Sequence, residues 1–319
     1  MRFTTPSLPC LTVMALLACH PVAQAQTAFG EQPSDGVALP GLSQYAPTNS
    51  PEAAQPTKLH DVTMEAVFKA GEEPLRQGLT WRVFQPIAGP DGKLPLLASA
   101  EGGVAHFQML PGDYFIHVAF GRAGVTKKLT VPASGPVEKQ VLVLDAGGLV
   151  LNAVSGNDMR IPPSQLRFNI YKAEDTVDDD RQLVVEDVRP GTIVRLNTGT
   201  YHIVSDYGTV NASIRSDIRV EAGKLTEAVI QHRAAQLTLK LVAEPGGEAI
   251  ADTAWSILTS GGDIVSESVG AFPTIVLAEG RYTAVARNKD RVYQRDFEVV
   301  SGQNADVEVL LKEDAGTQG

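Results

Sequence analysis

The stretch Leu110-Pro111-Gly112-Asp113-Tyr114, with the alternating run Phe115-Ile116-His117-Val118 behind it, decides the fold because the chain repeats it in outline twice. The second copy is Leu196-Asn197-Thr198-Gly199-Thr200-Tyr201, and the third is Leu277-Ala278-Glu279-Gly280-Arg281-Tyr282. In each, a glycine stands two residues before a tyrosine, and apolar residues then alternate. A turn signal followed by period-two alternation reads as a turn into a β-strand.

Aligning the tyrosines brings other residues into register. Trp81, Phe168 and Trp255 lie at successive intervals of 87 residues. Tyr114 and Tyr201 are also 87 apart, and Tyr282 follows after 81. Gly135, Gly223 and Gly302 fall 20 to 22 residues past their tyrosines, each before a last apolar run. Self-similarity of this kind signals tandem structural repeats.

The third copy reads most clearly. Leu237–Val242, Ala254–Leu258, Ile264–Val269, Pro273–Leu277, Tyr282–Arg287, Val292–Val300 and Val307–Leu311 are short apolar or alternating runs, separated by Gly, Pro, Asn and Asp. Seven short strands with turn chemistry between them predict an all-β sandwich, and no stretch has helical periodicity. The expected fold is therefore three tandem seven-stranded, immunoglobulin-like or prealbumin-like β-sandwiches. The expected boundaries are 58–146, 147–233 and 234–313, with a disordered tail at 314–319. Tyr114, Tyr201 and Tyr282 are expected as structural corners that return a hydroxyl to upstream backbone. Gly112, Gly199 and Gly280 would allow positive φ in the turn before each tyrosine. Trp81, Phe168 and Trp255 are expected as inward core aromatics.

The phrase Leu-Pro-x-Gly-x-Tyr with alternating apolar residues, nearest in LPGDYFIHV at Leu110–Val118, resembles bacterial prealbumin-like and carboxypeptidase-regulatory-like β-sandwiches. It also resembles the collagen-adhesin B-type repeats of surface proteins. That resemblance implies modules for spacing or binding, not catalysis. In B-type repeats an intramolecular Lys–Asn isopeptide bond is common. Lys69 and Lys240 stand near first-strand positions, but the final runs at Val141–Leu144, Ala228–Gln231 and Val307–Leu310 contain no asparagine.

The ends point to export. Met1-Arg2, the apolar run Leu11–Leu17 and the small-x-small Ala23-Gln24-Ala25 have the layout of a signal peptide, residues 1–25. The apolar run is too short for a transmembrane helix. Leu16-Leu17-Ala18-Cys19 offers an alternative, a lipid anchor on Cys19. The two cysteines, Cys10 and Cys19, both precede Ala25, so cleavage there leaves no thiol for a disulfide, a nucleophile or a metal. A cysteine-free exported chain fits a bacterial periplasm or a secreted location. Residues 26–57, rich in Pro, Ala, Ser, Gln and Gly, read as a disordered tether.

The 27 basic and 37 acidic residues give a formal net charge of −10, without a basic stripe, which argues against nucleic acid as a partner. The acidic run Glu174–Asp180, with Asp175, Asp178, Asp179 and Asp180, is a candidate calcium loop, since calcium gathers several carboxylate oxygens. It lacks the glycine and terminal glutamate of an EF-hand, and a solvated loop is the preferred reading. His60, His106, His117, His202 and His232 show no metal-ligand spacing, and no nucleophile elbow or phosphate loop occurs. No cofactor is expected.

Tyr171, Tyr207 and Tyr293 do not recur in all copies and are the freer candidates for a surface. The links Asp145-Ala146-Gly147-Gly148 and His232–Ala235 are short, and the diglycine predicts the looser of two hinges in a bent rod of about 80–100 Å. The functional expectation is a non-catalytic exported envelope protein, a spacer or adaptor for a protein or polysaccharide partner. The alternative is a carbohydrate-binding module accessory to an envelope polysaccharide enzyme.

Overall fold

In a computed structural model, residues 58–173 and 181–311 are described. They are all-β, with one 3-10 turn at Pro163–Gln165 and no α-helix among them. The first repeat carries β1 His60–Val67, β2 Leu79–Phe84, β3 Leu96–Gly102, β4 Ala105–Met109, β5 Gly112–Phe120, β6 Ala123–Val131 and β7 Gln140–Val143. The second carries β8 Ala146–Ser155, β9 Met159–Arg160, β10 Leu166–Lys172, β11 Leu183–Val188, β12 Ile193–Asn197, β13 Gly199–Tyr207, β14 Ser213–Val220 and β15 Leu225–His232. The third carries β16 Ala234–Val242, β17 Thr253–Thr259, β18 Ile264–Val269, β19 Thr274–Ala278, β20 Gly280–Asn288, β21 Arg291–Val299 and β22 Ala305–Leu310.

Each repeat folds into two sheets of the same order. The smaller sheets run β4-β1-β7, β12-β8-β15 and β19-β16-β22, and the larger run β3-β2-β5-β6, β11-β10-β13-β14 and β18-β17-β20-β21. The two-residue β9 adds only a short pairing to β8. The first and last long strands of each repeat pair in parallel, while the other pairs are antiparallel. Alternation puts Trp81 and Val83 of β2 inward and leaves Arg82 in solvent. Phe168 and Ile170 of β10, and Trp255 and Ile257 of β17, do the same. Each sandwich thus closes on its own apolar core.

The cores are not fully separate. Ala146 of β8 is buried in the core of the first repeat. Ala234 and Val276, from the third repeat, pack into the core of the second. Val210, from the β13–β14 turn, packs against the core of the third.

Two expectations are corrected here. The diglycine is not a hinge, because Gly147 and Gly148 lie inside β8, opposite Leu196 and Arg195. A Cβ on Gly147 would come within 2.2 Å of the Glu221 carbonyl oxygen, so this glycine serves close backbone packing. The second link is likewise strand, since β15 ends at His232 and β16 begins at Ala234.

Candidate functional site

In the second and third repeats the recurring turn sits where the preceding repeat docks. Its glycines, Gly112, Gly199 and Gly280, have φ of 150°, 158° and 158°, a conformation L side chains rarely adopt. The tyrosine two residues on folds back over the turn. Tyr114 Oη donates to the Leu110 carbonyl at 2.9 Å, Tyr201 Oη to Asn197 at 2.8 Å, and Tyr282 Oη to Ala278 at 3.0 Å. Burial raises the pKa of the Tyr201 hydroxyl, which keeps it a donor. Trp81 and Trp255 are buried, and their indole N–H groups donate to Gly103 O at 2.8 Å and Gly270 O at 3.0 Å. Phe168 is fully buried and brings no polar group to satisfy.

At the first junction, the turn's own asparagine reaches across. Asn197 Oδ1 accepts from Gly124 N at 3.1 Å, and Asn197 Nδ2 donates to Leu144 O at 2.8 Å. The β5–β6 hairpin tip rests on β12. Arg122 N donates to Arg195 O, and the Arg195 guanidinium lies 4.3 Å from the centre of the Phe120 ring. At the second junction the direction of the reach is reversed. Asn211, from the β13–β14 tip, accepts from Ala278 N at 2.9 Å and donates to Tyr282 Oη at 2.9 Å.

The two dockings share one geometry. Gly121 and Gly208 are 87 residues apart and take φ of 66° and 73° at equivalent hairpin tips. A Cβ on Gly121 would lie 3.0 Å from Arg195 Cβ, and one on Gly208 would lie 2.7 Å from Val276 Cβ. Arg195 and Val276 are themselves equivalent, each six residues before its tyrosine. The third repeat carries Lys289 at the matching tip, with φ 52°.

The first repeat's own turn has no preceding sandwich among the described residues. Leu59 and Leu110 are 49% and 46% exposed there, whereas Ala146 and Ala234 at the docked ends are buried. An open cavity of about 1010 Å³ lies beside them, lined by Lys58, Leu59, His60, Asp61, Pro111 and Val137 among others.

A buried polar cluster stands at the second junction. Ser205 Oγ and His232 Nε2 are 2.7 Å apart, and Ser155 Oγ donates to Ala234 O at 2.6 Å. A hydroxyl beside an imidazole is the pairing of an activated nucleophile. Ser205, Ser155 and His232 are essentially inaccessible, however, so no substrate can reach them in this conformation. Burial holds the His232 imidazole down at a pKa of about 4, outweighing the opposing pull of Asp206. The pair is a neutral lock between β13 and β15.

Other sequence candidates fall elsewhere. Asp175, Asp178, Asp179 and Asp180 lie outside the described residues, as do the signal segment, the tether and Cys19. Among the described residues, no group of three or more His, Cys, Asp or Glu could hold a metal ion. Tyr207 and Tyr293 are buried core residues, not surface ones: each is an inward position of its strand, and Tyr171 alone of the three is partly exposed. Lys240 forms an ion pair with Asp306 of β22, and Lys69 lies in an exposed bend beyond β1. No helix of the described residues is long and apolar enough to cross a membrane. The junction asparagines were not singled out from the sequence, and the 87-residue spacing of Gly121 and Gly208 was the signal that could have found the docking tips.

Residues 236–311 match the family described as the Rhizobiales growth-associated tandem repeat domain. A comparison with curated proteins gives no match. Among solved structures, the chain is similar to the Bacillus anthracis TIE protein, at 15% identity and TM-score 0.25, over 80% of this chain and 50% of that one. It is similar to the Streptococcal ancillary pilin, at 11% identity and TM-score 0.28, over 79% of this chain and 99% of that one. It is also similar to BcpA, the major pilin subunit of Bacillus cereus, at 12% identity and TM-score 0.24, over 80% and 100%. The chain thus spans half the length of the first of these. At these TM-scores the fold rests on the strand pairing above.

Proposed function

We propose that this chain is a non-catalytic, exported envelope protein that acts as a spacer or adaptor for a protein or polysaccharide partner. The observation that carries the reading is the repeated docking of a hairpin tip onto the next repeat's turn. Within the recurring motif, Asn197 and Tyr282 bond across to a neighbouring repeat, and the three tyrosine hydroxyls fix their own turns. The signal-like segment 1–25 supports export, and the family matched by the third repeat is described as growth-associated, which suits an envelope under construction. The exposure of Leu59 and Leu110 supports a partner contact at that end of the first repeat.

Site-specific photo-crosslinking in cells tests this. A photoreactive residue at Leu110 is expected to give a discrete product in the envelope fraction, and one at the exposed Gly92 turn is expected to give none. Absence of any product from Leu110, or a chain found in the cytosol, contradicts the reading.

A further inference from the structure

The chain enters each sandwich by one strand and leaves by a strand parallel to it. In the first repeat, β1 and β7 pair over four residues, Met64↔Gln140 to Val67↔Val143. In the second, β8 and β15 pair over eight, Gly148↔Leu225 to Ser155↔His232. In the third, β16 and β22 pair over six, Leu237↔Ala305 to Val242↔Leu310. Parallel pairing places the entry and the exit at opposite ends of the shared ladder. Tension on the chain therefore slides the two strands along each other. All rungs are loaded at once, in shear, rather than one after another as in a zipper. A ladder so loaded resists in proportion to its length until the whole ladder gives.

Three further features serve the same end. The exit strands β7, β15 and β22 are sheet edges, each paired in its ladder with the entry strand alone. Ion pairs bridge two of the clamps: Lys139 Nζ lies 2.9 Å from Glu65 Oε2, and Lys240 is paired with Asp306. The connections carry no slack, since β7 ends at Val143 and β8 begins at Ala146, while β15 ends at His232 and β16 begins at Ala234. Load leaving one clamp passes straight into the next.

We propose that the array bears tension, as three shear clamps in series that yield in the order first, third, second repeat. The order follows the ladder lengths. This deepens the spacer reading and rests on it for its biological setting only. It gives the spacer a regulated length: moderate load extends the first repeat while the second stays folded.

Single-molecule force spectroscopy of the full chain, with Cys10 and Cys19 replaced by serine and ligation tags at both termini, tests the proposal. A ten-residue Gly/Ser insertion in the exposed turn at Asp91 marks the first repeat, because it adds about 35 Å to that repeat's extension step. A similar insertion at Gly262 marks the third. End-to-end pulling is expected to give three ruptures, with the first-repeat marker in the step of lowest force and the unmarked second repeat in the highest. The geometry is then changed without changing the fold. A handle on Lys224→Cys, at the start of β15, replaces the C-terminal tag, so that β8 and β15 are pulled from the same end. The second repeat is then expected to open before the first. Overturning results are a second repeat that ruptures first under end-to-end load, or one whose rupture force is equal in the two geometries. A cytosolic location would sink the export reading and leave these forces untouched.

Discussion

Tyr201 and Tyr282 make the same backbone hydrogen bond, yet they differ in what depends on them. Among the described residues, Tyr201 Oη serves only its own turn, through Asn197 O. Its replacement by phenylalanine is expected to cost about 0.5–1.5 kcal/mol in urea unfolding, the worth of one such bond. Tyr282 Oη also accepts from Asn211 of the preceding repeat. Tyr282→Phe should therefore cost more than Tyr201→Phe, and prior Asn211→Ala should remove much of the difference in a double-mutant cycle. His232 gives a pH dependence of definite sign. Its folded pKa of about 4 lies below the ordinary 6.5, so the unfolded chain takes up the proton first as pH falls. The contribution of the neutral buried ring is whole above about pH 6.5 and is lost as pH falls toward about 4. The stability gap between wild type and His232→Gln is expected to shrink over that window by on the order of 2–3 kcal/mol, read from denaturation midpoints. The alternation that puts Trp81, Phe168 and Trp255 inward is a period-two pattern and can be read from one chain. Asn197 and Asn211 could not be found that way. Their side chains bond to another repeat's backbone, and nothing local in their neighbourhood announces it.

At the scale of elements, the strands of the third copy were legible because Gly, Pro and Asn punctuate them. The meaning of the punctuation was less so. Gly147-Gly148 carries the same letters as a flexible link, but it sits in a strand that the Glu221 carbonyl approaches closely. Gly208 illustrates the same ambiguity at the second junction, where both φ and a neighbour demand glycine. Gly208→Ala is expected to cost about 1–3 kcal/mol, and calorimetry is expected to show the second and third repeats melting together in the wild type and apart in the variant. Gly191 separates strain from docking. Its φ is 75° and a Cβ there would meet nothing within 4 Å. Gly191→Ala should lower stability through the backbone alone and leave the melting of the two repeats coupled. A single merged transition in Gly208→Ala would show that the tip contributes nothing to the coupling.

At the scale of the whole molecule, the all-β class came through because period-two alternation recurs along the chain, with 87 residues between successive core aromatics. Pairing order did not, since periodicity says which residues face inward and not which strand lies beside which. The parallel closure of each sandwich, on which the mechanical proposal stands, emerges only from the fold. The functional reading depends in turn on where the chain resides, and its sharpest exposure is the N-terminal segment. The most direct measurement is cell fractionation with intact-mass determination of the chain made in a Gram-negative host. The expected result is an envelope-fraction protein whose mass begins at Gln26, or at a lipid-modified Cys19. A full-length chain of 319 residues in the cytosol would contradict it.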